Sequence, residues 1–336
     1  MAGADRPSGA TTSLSVNPTF QNTISLLIAA LATSLFLDLL LRRSDALPVD
    51  RPNQRSLHQR PTPRIGGLAL FPGIVLAVVI SGVWEPLVLV PLALAGLLFA
   101  LSIVDDWRGL SASLRFGTHF AVALGFTVWM AGVSPLALAG AFAMTWMTNL
   151  YNFMDGANGL AGGMTVIGFG VLGLASGEAV LVFATMGAAL GFLRYNFDPA
   201  RVFLGDAGSV PLGFLAGALS FAGVAHGQWP LWFPLLVFAP FVIDATVTLV
   251  KRIVRRERVW AAHRQHYYQR LVQMGWSHRR LALAEYGLMC ASGGLGLLLL
   301  TESAVWQVTG VMVCIGVHVT LMAWVDRRWA ASGMSA

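Results

Sequence analysis

The sequence predicts an all-α integral membrane protein, a polytopic helical bundle of about 11 transmembrane helices. Three observations predict it. Of 336 residues, 56% are hydrophobic and only 11% charged, whereas a soluble globular domain carries about 25% charged residues. The apolar residues fall into eleven runs, each close to the roughly 20 residues a helix needs to cross a bilayer. Between the runs, the basic residues gather in alternate loops. This composition excludes a soluble enzyme, a disordered chain and a nucleic-acid-binding domain. In a membrane protein the net charge of +6 reports loop orientation, not a nucleic-acid partner.

Residues 1–20 are rich in Ser, Thr and Gly, hold one basic residue, Arg6, and read as a flexible tail. The first run, 22–41, is followed by Arg42 and Arg43. A cleaved signal peptide has its charge before a core of about 7–15 apolar residues and a small-residue cleavage site after it. This run is longer and charged on the other flank, so a retained span entering from outside is expected. Further runs lie at 66–83, 87–104, 117–132, 134–150, 161–176, 179–195, 209–226, 230–250, 282–301 and 304–325. Together they form a single polytopic domain, 21–328, with a C-terminal tail at 329–336.

The loops set the orientation. With 42–65, 105–116, 151–160, 196–208, 251–281 and 326–336 on one side, and Arg194 beside them, 21 of the 22 Lys and Arg residues share that side. An excess of Lys and Arg marks cytoplasmic loops, so the N-terminus is expected outside and the C-terminus in the cytoplasm. Cys290 and Cys314 lie in different runs without a CxxC spacing or a Cys/His cluster. That argues against a disulfide framework or a zinc site.

An ionisable side chain at mid-membrane costs at least about 2.5–3.5 kcal/mol. Most carboxylates here avoid this cost. Asp105, Asp106, Asp155, Asp198, Asp206 and Glu257 fall at cytoplasmic ends or loops. Asp38, Asp244 and Glu285 lie inside runs but within about two turns of the inner edge, and Glu85, Glu178 and Glu302 lie in short outer loops. Only His318 falls near a run's centre, where hydrogen bonding inside the bundle is the ordinary role. Polar chemistry at one face suits an enzyme of the inner leaflet better than a transporter, which binds its substrate near the midplane.

Four segments on that face stand out. In Ser56–Gly67, two prolines stiffen the chain and Gly66-Gly67 lets it turn into the next run. Arg55, Arg60 and Arg64 either hold phosphate oxygens or simply lie near anionic lipid. Asp105-Asp106 open the second segment, which ends at Arg115. Adjacent carboxylates either sit solvated at a helix end or hold Mg²⁺ together with substrate phosphates. In the third, Asn149, Asn152 and Asp155 recur every three residues and would share one helix face, before Gly156 and Gly159 break the helix. Asn158 lies between those glycines. The fourth, Phe203-Leu-Gly-Asp206-Ala-Gly-Ser209, places an Asp among glycines that allow close approach of a ligand. The free N–H groups of the helix expected to start at Ser209 favour anions. The basic segment 251–281 completes the face, with His263-Arg264-Gln265-His266 as a ligand-contacting loop. These are the parts of a phosphoryl-transfer site, where positioning and charge neutralisation supply most of the catalysis.

From about residue 42 to 280 these segments, in order and spacing, resemble the polyprenyl-phosphate N-acetylhexosamine-1-phosphate transferase family. The resemblance implies transfer of a sugar-1-phosphate from a UDP-sugar to undecaprenyl phosphate, with release of UMP, at the cytoplasmic face of the bacterial inner membrane. It implies Mg²⁺, or Mn²⁺ in its place, held by Asp206 and Asn152. Phe203 matches the aromatic stacked on uracil and Asn158 a residue that reads the base. Asp105 matches the acid proposed to deprotonate the lipid phosphate, and Asp106, Asp155 and His266 join it as candidate catalytic residues. Arg64, Arg115, His263 and Arg264 are expected to bind substrate. The chain departs from the family in three places. Asn158 stands where Asp is usual, and Arg115 where Lys is usual. His263–Gln269 reads His-Arg-Gln-His-Tyr-Tyr-Gln instead of Asp-Arg-x-His-x-His-His. That loop resembles the branch starting O-antigen synthesis with 6-deoxy sugars such as N-acetylfucosamine or N-acetylquinovosamine. A UDP-N-acetylglucosamine donor is the alternative, and a transporter or flippase the alternative of another class. The sequence leaves a homodimer open.

Overall fold

The computed structural model describes residues 17–43, 48–52, 57, 60–177, 179–261 and 263–334. The chain is a multi-pass helical membrane bundle. Helix α1 spans Pro18–Leu41, capped by the Asn17 side chain, which accepts from the Thr19 N–H at 2.9 Å. It begins inside the stretch read as a tail. A two-residue antiparallel ladder, β1 (Val49–Asp50) with β2 (Thr62–Pro63), then leads into α2 (Gly66–Ser81). Next come α3 (Pro86–Arg108), α4 (Ala112–Ala131), α5 (Pro135–Phe153), α6 (Leu160–Ser176), α7 (Val180–Asn196) and α8 (Asp206–Ala225). The chain closes with α9 (Trp232–Val237), α10 (Ala239–Val254), α11 (Tyr267–Gln273), α12 (His278–Leu299) and α13 (Ala304–Ala331).

The boundaries follow local chemistry. Proline opens α1, α3 and α5, where its missing N–H costs nothing. Glycines with positive φ end α2 and α3, at Gly82 and Gly109. Ser111, Ser134 and Ser277 cap α4, α5 and α12 with their side-chain oxygens.

All eleven apolar runs fold as helix, though not all as single rods of equal length. Among the described residues, five helices are long and apolar enough to cross a membrane by length and composition: α1, α3, α8, α12 and α13. Helices α2, α6 and α7 are shorter apolar helices. The run 230–250 is not one rod. It breaks at Phe238, which ends α9 and precedes α10, because Pro240 in the first turn of α10 cannot donate to the turn before it. The basic segment 251–281 contains α11 rather than only loop, and α13 continues through Ala331 into the stretch read as a tail.

Helix α8 is the hub. Of its most apolar stretch, 83% is buried inside the protein, against 17% for α13, which faces outward. Helices α2, α3, α4, α5 and α6 all pack on α8. The α2–α8 contact is backbone against backbone: a Cβ at Gly67 would lie 2.2 Å from the Gly208 nitrogen. The first amides of α2 also donate outward, Gly66 N–H to Phe203 O at 2.9 Å and Gly67 N–H to Leu204 O at 2.8 Å. Those bonds tie the segment before α8 to the start of α2, and so fix where Asp206 stands.

Candidate active site

Asp206 is the first residue of α8, and Gly205 before it takes φ +70°, a left-handed turn that glycine adopts without strain. The helix therefore starts at Asp206, three residues before the expected Ser209. Its Oδ1 accepts from Arg64 Nη2 at 2.9 Å. Its Oδ2 faces Arg115 Nη1 at 3.7 Å and Asn152 Nδ2 at 3.5 Å. Ser209 Oγ donates to Asn152 Oδ1 at 3.3 Å. From the far side, Arg115 Nη1 donates to Asp105 Oδ2 at 3.0 Å, and Asp105 Oδ1 accepts from the Leu110 N–H at 2.6 Å. Asp105, Arg115, Asp206 and Arg64 thus form one chain of alternating charge across α3, α4, α8 and the α2 entry. Asp106 lies in the electrostatic field of Asp206, Arg64 and Asp105.

A cavity of about 380 Å³ opens beside this chain. Its wall includes Arg64, Asn152, Asp155, Asn158, Phe203, Asp206 and His263. These are seven of the twelve residues proposed from sequence. Asp105 and Arg115 reach it through the charge chain. Asp155 lies beyond the end of α5, so it does not share a helix face with Asn149 and Asn152 as the spacing suggested. Instead Asn149 turns back along the helix to the Thr145 carbonyl. Burial pushes the Asp155 carboxyl well above the ordinary range; the Asp206 charge adds to this, while Arg64 and a Gly205 backbone bond oppose it. Burial strips solvent from Arg64, but Asp206, then Asp106, Asp50 and Asp155, more than offset it and hold the guanidinium protonated.

His263 stands in the wall with its ring 4.9 Å from that of His266. Burial, then the neighbouring His266 and Arg252, lower its pKa to about 4, so it is neutral at pH 7. His266 lies behind the wall, buried, its ring stacked on Phe153 at 6.1 Å. Arg264 is exposed and outside the wall; its carbonyl accepts from Gln273 Nε2 at 2.9 Å. Arg55 lies outside the described residues.

Other residues emerged only from the structure. Asp244 on α10 is 6% exposed and holds the start of α11. Its Oδ1 accepts from Tyr267 N–H (3.0 Å) and Thr248 Oγ1 (3.1 Å) and contacts His266 Nδ1 (3.2 Å); its Oδ2 accepts from Tyr268 N–H (3.0 Å). Tyr268 and Gln269 on that helix complete the cavity wall. Asn158 Nδ2 donates to Asp198 Oδ1 at 2.9 Å, and Asn158 N–H donates to His278 Nδ1 at 3.2 Å. Asn196 receives the Gly159 N–H at 2.8 Å. The only sequence signal for Asp244 was a carboxylate inside an apolar run.

Among the described residues, no three His, Cys, Asp or Glu side chains form a ready-made metal cage. Asp206 and the Asn152 amide oxygen are hard oxygen donors of the kind a divalent cation takes together with phosphates and water; here Asp206 pairs with Arg64 and Arg115, the Asn152 amide turns its nitrogen toward it, and a cation would replace those contacts.

The family profile of glycosyl transferase family 4 matches residues 88–224. A probable undecaprenyl-phosphate N-acetylglucosaminyl 1-phosphate transferase of Bacillus subtilis is 29% identical over 282 residues, 77% of this chain and 78% of the relative. A decaprenyl-phosphate N-acetylglucosaminephosphotransferase of Mycolicibacterium smegmatis is 30% identical over 329 residues, 81% of this chain and 80% of the relative. A phospho-N-acetylmuramoyl-pentapeptide-transferase of Synechococcus is 31% identical over 315 residues, 80% of this chain and 89% of the relative. With a charge chain and polar cavity built from the very segments that carried the resemblance, and relatives matched over most of their length, the chain belongs to the polyprenyl-phosphate N-acetylhexosamine-1-phosphate transferase family.

Proposed function

We propose that this protein transfers an N-acetylhexosamine-1-phosphate from a UDP-sugar to undecaprenyl phosphate at the cytoplasmic face of the bacterial inner membrane, starting a lipid-linked glycan. The observation that carries this reading is the Asp105–Arg115–Asp206–Arg64 chain at the edge of the cavity. It sets two cations and a set of acids beside one space large enough for a nucleotide diphosphate.

The acceptor is a phosphate monoester with a second pKa of about 6, mostly dianionic at neutral pH. Arg64 and Arg115 attract its oxygens from either side of Asp206. Asp105, held by Arg115 and the Leu110 N–H, orients the acceptor oxygen and takes any remaining proton. That oxygen attacks the phosphorus bearing the sugar. The new P–O bond forms as the bond to the nucleotide phosphate breaks, and UMP leaves with that bond's electron pair. Asp206 and Asn152 would hold Mg²⁺, or Mn²⁺, which neutralises diphosphate charge when bound. Phe203 and Asn158 receive the base, and His263, Tyr268 and Gln269 complete the cavity wall.

The His263–Gln269 sequence favours a 6-deoxy sugar and O-antigen synthesis. The second reading, N-acetylglucosamine, draws on the names of the Bacillus and Mycolicibacterium relatives. A panel of UDP-sugars with purified protein, undecaprenyl phosphate and Mg²⁺ separates them by UMP release. Release with one sugar only, abolished without lipid phosphate, is the expected result. Sugar-independent or lipid-independent behaviour would reject the transferase reading.

A further inference from the structure

Helix α13 faces mostly outward, yet its C-terminal end grips the back of the cavity wall through one carboxylate. Asp326 joins α13 to residues of α10 and α11. Its Oδ2 accepts from Lys251 Nζ at 2.6 Å and from the Tyr267 hydroxyl at 3.0 Å, and its Oδ1 accepts from Arg270 Nη1 at 2.9 Å. Lys251 Nζ also donates to the Tyr267 hydroxyl. Aromatic rings close the cluster: the Arg270 guanidinium lies 5.1 Å from the Tyr267 ring centroid and 5.7 Å from that of Trp329 on α13. Neither α11 nor α13 falls within residues 88–224, where the family profile matches.

The gripped residues are set by helix geometry. Tyr267 and Arg270, three apart, share one face of α11. Tyr268 and Gln269, between them in sequence, line the cavity of about 380 Å³. Asp244 holds the first amides of α11, which fixes where the helix starts. Asp326 takes a side chain from each of two positions on the opposite face, which fixes how the helix is turned about its axis. Arg270 is 5% exposed, and Asp326 is its only ion-pair partner among the described residues. A buried guanidinium stripped of its acid is costly. With that carboxylate gone, α11 must turn until Arg270 reaches water or another acceptor.

We propose that Asp326 is a positioning residue for the transfer reaction, holding α11 in the rotation that presents Tyr268 and Gln269 to the donor sugar. The proposal rests on the transferase reading for the identity of the ligand that meets this wall.

Steady-state kinetics of the purified full chain test it, with the UDP-sugar that the panel selects and undecaprenyl phosphate varied separately, beside amide hydrogen exchange without substrate. Asp326→Asn should raise the UDP-sugar KM about tenfold and leave the acceptor KM within about twofold, because only the donor's binding groups are misplaced. Asp326→Glu, which restores the acid, should recover most of that loss. Tyr267→Phe deletes a single hydroxyl and should raise the donor KM about threefold, the scale of one hydrogen bond. Exchange in Asp326→Asn should quicken over 267–273 and stay unchanged in α3, α4 and α8. An unchanged donor KM overturns the proposal, as does a rise of both KM values with faster exchange in every helix, the mark of general loosening. If Asp326→Asn does not fold, Tyr267→Phe decides alone. If the unaltered chain releases no UMP with any sugar, the transferase reading fails instead, and unchanged exchange over 267–273 then overturns the grip on α11 by itself.

Discussion

Asp206 stands where a helix begins and two arginines converge, so its charge is shared before any substrate arrives. Asp206→Asn keeps the shape and removes that charge. Turnover is expected to fall by at least about 10²–10³, the range for losing one preorganised electrostatic group, while elution on size exclusion stays unchanged. His263 makes a different kind of prediction. Unfolded, its imidazole protonates near pH 6.5; folded, it stays neutral down to about 4. Between those values the unfolded chain binds more protons, so stability is intact above pH 6.5 and is lost as pH falls through the window. At about 1.4 kcal/mol per unit the ceiling is about 3.5 kcal/mol, and solvent screening at this partly exposed ring makes the loss smaller. Thermal unfolding in detergent from pH 7 to 4 should show this contribution as a difference from His263→Gln measured over the same range.

At the scale of elements, two joints position the site. The first is the carboxylate clamp on α11. Asp244 takes two backbone N–H groups at the start of that helix and contacts His266, behind a wall that Tyr268 and Gln269 complete. In Asp244→Asn an amide N–H₂ must face N–H groups, which leaves buried donors unpaired at about 1–3 kcal/mol each. A fall in kcat of roughly ten- to a hundredfold is expected from that range. The acceptor KM should hold steady and protease cleavage near 255–265 should rise; unchanged kinetics would detach α11 from the active site. The second joint is the α2–α8 contact. A methyl group at Gly67 meets the Gly208 backbone at 2.2 Å, so Gly67→Ala must push α8 away. It should cost about 1–3 kcal/mol, typical of overpacking, read as a lower melting temperature. Activity should drop with it because Asp206 moves. Apolar run lengths and proline or glycine boundaries made most helices legible in the sequence. The α9–α10 break and the short α11 were hidden inside a continuous apolar run and a basic loop, because both depend on what packs beside them.

For the whole molecule, the distribution of Lys and Arg predicts one orientation. With the two native cysteines replaced by serine, Gln228→Cys should react with a membrane-impermeant maleimide on intact cells. Arg264→Cys should react only after permeabilisation. The reverse pattern would turn the bundle over and place the cavity on the wrong side for a cytoplasmic nucleotide sugar.

The sequence by itself determined the membrane class, the polar face and the segments that build the site, because apolar run length and charge position act locally and need no partner. The tertiary structure alone decided which acid meets which arginine. It set Asp206 rather than Asp155 at the crossing of Arg64 and Arg115, drew Asp244 beneath α11, and left Arg264 outside the cavity. Those pairings join residues up to 142 positions apart. They follow from how closely glycine-lined helices approach, a property of packed surfaces rather than of any one segment.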